Sequence, residues 1–171
     1  MVYFYKKIGK KYILRLSDNY TAFYFRSIIK AKGRGLVAIE SPKNLASLLG
    51  LQFENLTHNN IGFILNRLSI ESKEVIFAGS YLQTSTTKRQ GCQIDLLIQT
   101  KNRVYVCECK LHNCEIKKSC IAEVETKIAL LIKPRGTSFH PVLIHANQVS
   151  ERVIEEDYFS AIIDLGEGIF A

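Results

Sequence analysis

The sequence predicts an α/β fold, and two observations carry that reading. Apolar segments switch along the chain between the two-residue period of strands and the 3.6-residue period of helices, in the order helix, three strands, helix, strand. The strongest strand signals, at 93–98 and 104–111, flank a short polar stretch, Gln99-Thr100-Lys101-Asn102-Arg103, that suits a hairpin turn. Each of these strands carries an acid in an otherwise apolar run, where charge rarely sits unless it is paired or bound to a metal.

The elements follow in order. Apolar runs at 2–5 and 12–16 flank the basic turn Lys6-Lys7-Ile8-Gly9-Lys10-Lys11 and read as a hairpin. Ser17-Asp18-Asn19 offers capping side chains to an aromatic helix over 20–30, whose ring stripe is expected in a core rather than stacked on bases. Ala31-Lys32-Gly33-Arg34-Gly35 is a basic break, so the expected units are 1–35 and 36–171. Ser41-Pro42 starts a helix. It carries Leu45, Leu48, Leu49, Phe53, Leu56, Ile64, Leu65 and Leu68, with Gly50 and Gly62 as points of kinking or division. Glu54 stands on it one turn before His58. A strand is predicted over 74–81, and a polar, basic loop over 83–91 leads into the hairpin. Residues 119–133 form an amphipathic helix with Ile121, Val124, Ile128 and Leu131 on one stripe and Glu123 placed to pair with Lys127. Pro134-Arg135-Gly136 stops it. Strands at 140–146 and 159–165 flank a short polar helix or loop at 149–158, and His140 and His145 read as ordinary strand histidines.

A chain of 171 residues holds one domain, or one plus a small appendage, and its 47% hydrophobic and 23% charged residues are ordinary for a globular protein. The net charge of +7 favours an acidic partner, nucleic acid first and an anionic membrane surface second. No apolar run reaches membrane-spanning length and no signal peptide is recognisable, so a cytoplasmic protein is expected. Five cysteines without a secretion signal imply free thiols. Cys107, Cys109, Cys114 and Cys120, with His112 nearby, match no familiar zinc spacing and read as small core residues rather than ligands of zinc or an iron–sulfur cluster.

The chemistry concentrates in the hairpin. Strand alternation puts Gln93, Asp95 and Leu97 on one face of the first strand, and Val104, Val106, Glu108 and Lys110 on one face of the second. The hairpin brings Asp95 close to Glu108, with Lys110 beside them. Two adjacent carboxylates repel unless a cation sits between them, and carboxylate oxygens suit magnesium or manganese. The competing structural reading is an edge hairpin with exposed charges.

Asp95, twelve residues, then Glu108-x-Lys110 resembles the signature of the PD-(D/E)XK nuclease superfamily. The resemblance covers about 41–165 and implies a restriction-endonuclease-like αβββαβ core with a mixed central sheet. It makes Glu54 the match for the glutamate that the first helix often adds to the metal site. The segments Tyr12-Ile13-Leu14-Arg15-Leu16-Ser17-Asp18-Asn19-Tyr20, Phe53-Glu54-Asn55, Gln93-Ile94-Asp95-Leu96-Leu97-Ile98 and Cys107-Glu108-Cys109-Lys110 also look like the C-terminal half of archaeal-type AAA+ ATPases. That resemblance makes the N-terminal hairpin a winged-helix-like remnant and the chain the tail of a larger protein. No G-x-x-x-x-G-K-[ST] is present, so the chain is not expected to be an ATPase by itself. It leaves room for an ATPase partner or an ATPase half outside the sequence, and for a homo-oligomer.

The expected function is metal-dependent hydrolysis of a DNA phosphodiester. Asp95 and Glu108 hold magnesium or manganese, Glu54 is an outer ligand, Lys110 positions or activates water, and Gln93 contacts water or phosphate. Lys88, Arg89, Lys32 and Arg34 are the expected contacts to the DNA backbone. The alternative is a non-catalytic nucleic-acid-binding or regulatory module.

Overall fold

The computed structural model describes residues 2–8, 11–16, 18–25, 42–87, 90–111 and 114–169. The chain divides into two compact units, Met1–Asn59 and Asn60–Ala171.

In the first unit, β1 (Val2–Ile8) and β2 (Lys11–Leu16) form the expected antiparallel hairpin, a two-stranded sheet of its own with a register shift between Phe4 and Lys6. Asp18 caps α1 (Asn19–Phe23): its carboxylate accepts from the Thr21 backbone N–H at 2.6 Å. That bond holds the Asp18 carboxyl below its ordinary range. The described rings of the aromatic segment are not all in a core, since Tyr20 and Phe25 are exposed. α2 (Pro42–Asn59) is tied to α1 by hydrogen bonds. Asn55 Nδ2 donates to Asn19 Oδ1 at 3.0 Å, and Gln52 and Asn19 exchange side-chain to backbone bonds at 3.4 Å. The boundary expected at 35/36 lies outside the described residues, while the compact units divide after α2. The helix is not divided at its glycines. α2 runs through Gly50, and the break falls at Asn60, before α3 (Ile61–Arg67), which contains Gly62. A glycine inside a helix costs only about 1 kcal/mol, too little to force a break there.

The second unit is an α/β layer structure. After α3 and a 3₁₀ turn at Ser72–Glu74 come β3 (Phe77–Gln83), β4 (Cys92–Gln99), β5 (Arg103–Lys110), α4 (Ser119–Leu130), β6 (Ser138–His145), α5 (Glu151–Glu155), β7 (Ala161–Asp164) and α6 (Leu165–Ile169). They form a five-stranded sheet in the order β3-β4-β5-β6-β7. The β3–β4 and β4–β5 pairs are antiparallel, whereas the β5–β6 and β6–β7 pairs are parallel. The parallel pairs need crossovers, which α4 and α5 supply. The hairpin turn closes with Thr100 N–H donating to the Arg103 carbonyl at 2.9 Å.

One sheet face is covered by α4. Leu143 packs with Cys120, Ile121 and Val124, while Ile94, Leu97, Val104 and Val106 form an adjoining cluster, and Ile128 packs against both. On the other face Leu96, Ile98, Cys107, Val142 and Ile144 are also buried. A sheet buried on both sides explains why these strands read as continuous apolar runs. None of the five cysteines is in a disulfide; Cys107 and Cys120 are buried. Among the described residues no helix is long and apolar enough to cross a membrane.

One irregularity sets the local geometry. Gly79 pairs with Leu97 and Tyr81 with Ile94, so Ser80 alone stands opposite Asp95 and Leu96. This is a β-bulge in β4. The extra residue shifts the alternation, and Ile94 joins the same apolar cluster as Leu97, three positions on. The expected common face of Gln93, Asp95 and Leu97 therefore does not hold.

Candidate active site

The site is built within the second unit, at the carboxyl end of its central strand. The regular β4–β5 ladder ends at the pair Leu96–Cys107. There a side chain takes over: Asp95 Oδ2 accepts from the Cys109 backbone N–H at 3.1 Å. The bulge and this bond fix Asp95 beside the segment that carries Glu108 and Lys110. The trio sits within the sheet, on its second and third strands, rather than at a lateral edge.

Glu108 is 5% exposed. A carboxylate that deep must be paired to stay ionised. Its Oε1 faces Lys110 Nζ at 3.2 Å, and its Oε2 accepts from Lys127 Nζ. Lys110 Nζ also donates to Glu123 Oε2 at 2.6 Å. Charges thus alternate along Glu123, Lys110, Glu108 and Lys127. Burial works against the charge on Lys110, but the hydrogen bonds it donates to Glu123 and Glu108 and the charges of those two carboxylates outweigh it and hold the ammonium above its ordinary range. Lys110 therefore keeps its proton at neutral pH and serves as a donor and a positive charge, not as a base. Burial, reinforced by Asp95, pushes the Cys107 thiol up, so it is an un-ionised neighbour of the site.

Helical spacing alone places Glu123 to pair with Lys127. Instead both reach β5, Glu123 to Lys110 and Lys127 to Glu108. The cause is the orientation of α4. Val124 and Ile128 face the sheet, and Glu123 and Lys127 each stand one residue before them, on the same flank of that stripe. Adjacency to the stripe was the available signal, and it outranks the weak pairing along the helix surface.

A second row lies beside this cluster. Lys110 is the register partner of His145 on β6, and His145 is the partner of Asp164 on β7. His145 is 7% exposed, and its Nδ1 has no hydrogen-bond partner among the described residues. Asp164 Oδ1 accepts from the Gly166 N–H at 2.7 Å. His145 stands in β6 as expected, next to Lys110 at the carboxyl ends of parallel strands, where α/β sheets bind ligands.

The other expected site residues are placed as follows. Gln93 is exposed and pairs with Leu82 in the β3–β4 ladder. Glu54 is half-buried on α2, in the first unit. Lys88, Arg89, Lys32 and Arg34 lie outside the described residues. The donor chemistry of Asp95 and Glu108 fits a hard divalent cation, and Glu108 already attracts cations on both oxygens, though here they are ammonium groups. Among the described residues no group of three or more His, Cys, Asp and Glu side chains is gathered for a metal.

Fold and site together define an α/β domain with a buried, cation-paired glutamate at the end of its central strand. No family model and no curated protein matches the chain. Among solved structures it is similar to protein VC1899 from Vibrio cholerae, with a TM-score of 0.50 and 17% identity over 73% of this chain and 32% of that one. That likeness shows the fold alone, and the chain spans about a third of its neighbour's length.

Proposed function

We propose that the second unit is a restriction-endonuclease-like nuclease domain that hydrolyses a DNA phosphodiester with magnesium or manganese. The observation that supports this most is the bond from the Cys109 N–H to Asp95, which ties Asp95 to the segment of β5 between Glu108 and Lys110. Asp95 and Glu108 would hold the metal, which when bound polarises the phosphate and lowers the pKa of water. Asp95 is held in place by the Cys109 N–H. Lys110, kept protonated, donates to a water or a phosphate oxygen and offsets charge that develops there. The role of Glu54 as an outer ligand rests on the family resemblance alone, and Glu54→Gln tests it separately. A cytoplasmic location and an ATPase partner belong to the same proposal.

One observation favours the second reading, a non-catalytic binding or regulatory module: Lys110 and Lys127 already satisfy both Glu108 oxygens, so the cluster is complete as an internal ion-pair chain. Cleavage of mixed nicked, flapped and duplex DNA, with magnesium, manganese or EDTA, separates the two. The nuclease reading expects metal-dependent cleavage that Asp95→Asn and Glu108→Gln each abolish. Cleavage that persists in EDTA or in Asp95→Asn overturns it, and DNA binding without cleavage under any condition leaves the binding module.

A further inference from the structure

The two ammonium groups on Glu108 are held very differently. Lys110 is clamped from two sides, by Glu108 at 3.2 Å and by Glu123 at 2.6 Å, and its side chain is 18% exposed. Lys127 comes from α4 rather than from the hairpin, contacts Glu108 Oε2, and its side chain is 26% exposed. Its flexible four-carbon stem gives the ammonium a route to solvent.

We propose that Lys127 is a displaceable counterion: it neutralises the buried Glu108 carboxylate while no divalent cation is bound, and gives up Oε2 when one binds. The inference rests on the metal-site reading above. A divalent cation and an ammonium compete for the same oxygen, and two cations a few ångströms apart repel strongly where water is scarce. One must leave. Lys110 has Glu123 holding it in place, so the exchange falls on Lys127. Between the two states Glu108 is never left buried and unpaired, which is the costly condition for a carboxylate. Lys127 thereby sets the threshold concentration at which the site fills.

Calorimetric titration of magnesium chloride into the full chain tests this, using wild type, Lys127→Met and each combined with Asp95→Asn. The expected result is magnesium binding about five- to tenfold tighter in Lys127→Met, the size of one partly exposed ion pair. That binding is lost when Asp95→Asn is added. A second measurement does not depend on the methionine variant folding. Lysines are reductively methylated with ¹³C, and the Lys127 signal is assigned with Lys127→Arg. That signal is expected to move on adding magnesium to the wild type. Asp95-dependent binding of equal or weaker affinity in Lys127→Met, or a Lys127 signal that stays fixed at saturating magnesium, overturns the displacement and leaves the metal site standing. Absence of Asp95-dependent binding in both proteins overturns the metal site itself, and the displacement with it.

Discussion

At the scale of single residues, environment decides what each charged group can do. Lys110 lies between two carboxylates and stays protonated, which removes it as a base and leaves any proton acceptance to other groups. His140 shows the opposite shift. Burial, with a lesser contribution from the Arg103 charge, holds its pKa below the ordinary 6.5. Its ring lies 5.3 Å from that of Tyr105, and Ser138 Oγ and Ser160 Oγ lie at 2.8 and 3.4 Å from its nitrogens. A folded-state pKa below the unfolded one means that the folded protein binds the proton less readily. The stabilising contribution of neutral His140 is therefore complete above 6.5 and is lost as the pH falls through the lower folded value. The urea midpoint of the wild type should fall more than that of His140→Gln as the pH is lowered from about 7 to about 5. Parallel curves for the two proteins would remove His140 from the pH response.

At the scale of elements, the strands and α4 were legible because their apolar periods survive in the folded chain. The run from Gln93 to Ile98 lies within β4, and Val104 to Lys110 within β5. What was not legible is where neighbouring elements intervene. The bulge at Asp95 and Leu96 arises from the pairing with β3, and nothing within the run itself marks it. The partners of Glu123 and Lys127 depend on how α4 is rotated on the sheet, which its own sequence only half specifies. The loop into β4 carries a firmer constraint. Gln83 Nε2 donates to the Leu130 carbonyl at 2.8 Å and to the Gln90 carbonyl at 3.2 Å, fastening both ends of the loop near the end of α4. Gly91 passes so close to this point that a Cβ would lie 2.6 Å from the Gln83 carbonyl oxygen and 2.9 Å from the Ser85 nitrogen. Both are backbone atoms and cannot swing aside. Gly91→Ala should cost about 1–3 kcal/mol, read from the denaturation midpoint, whereas Gly136→Ala meets no atoms but is strained by a φ of 71°.

At the scale of the whole molecule, the excess of seven positive charges makes polyanion binding the general expectation. If the partner is DNA, affinity should fall linearly on a log–log plot against salt, by about 0.9 per phosphate neutralised. Asp95→Asn should leave that slope unchanged, because its carboxylate faces the Cys109 N–H within the sheet. A shallow slope in fluorescence anisotropy would argue for a different class of partner. The central strand has a further consequence, in time rather than in space. β5 joins β4 through a three-residue turn, but it meets β6 only after the intervening chain with α4 has closed. Short loops close sooner than long ones, so the hairpin forms early and brings Asp95 to the segment that carries Glu108 while Lys127 is still far away. The Glu108–Lys127 contact is then among the last to form. In stopped-flow chevrons, Lys127→Met should leave the folding rate nearly unchanged and place its whole cost in faster unfolding.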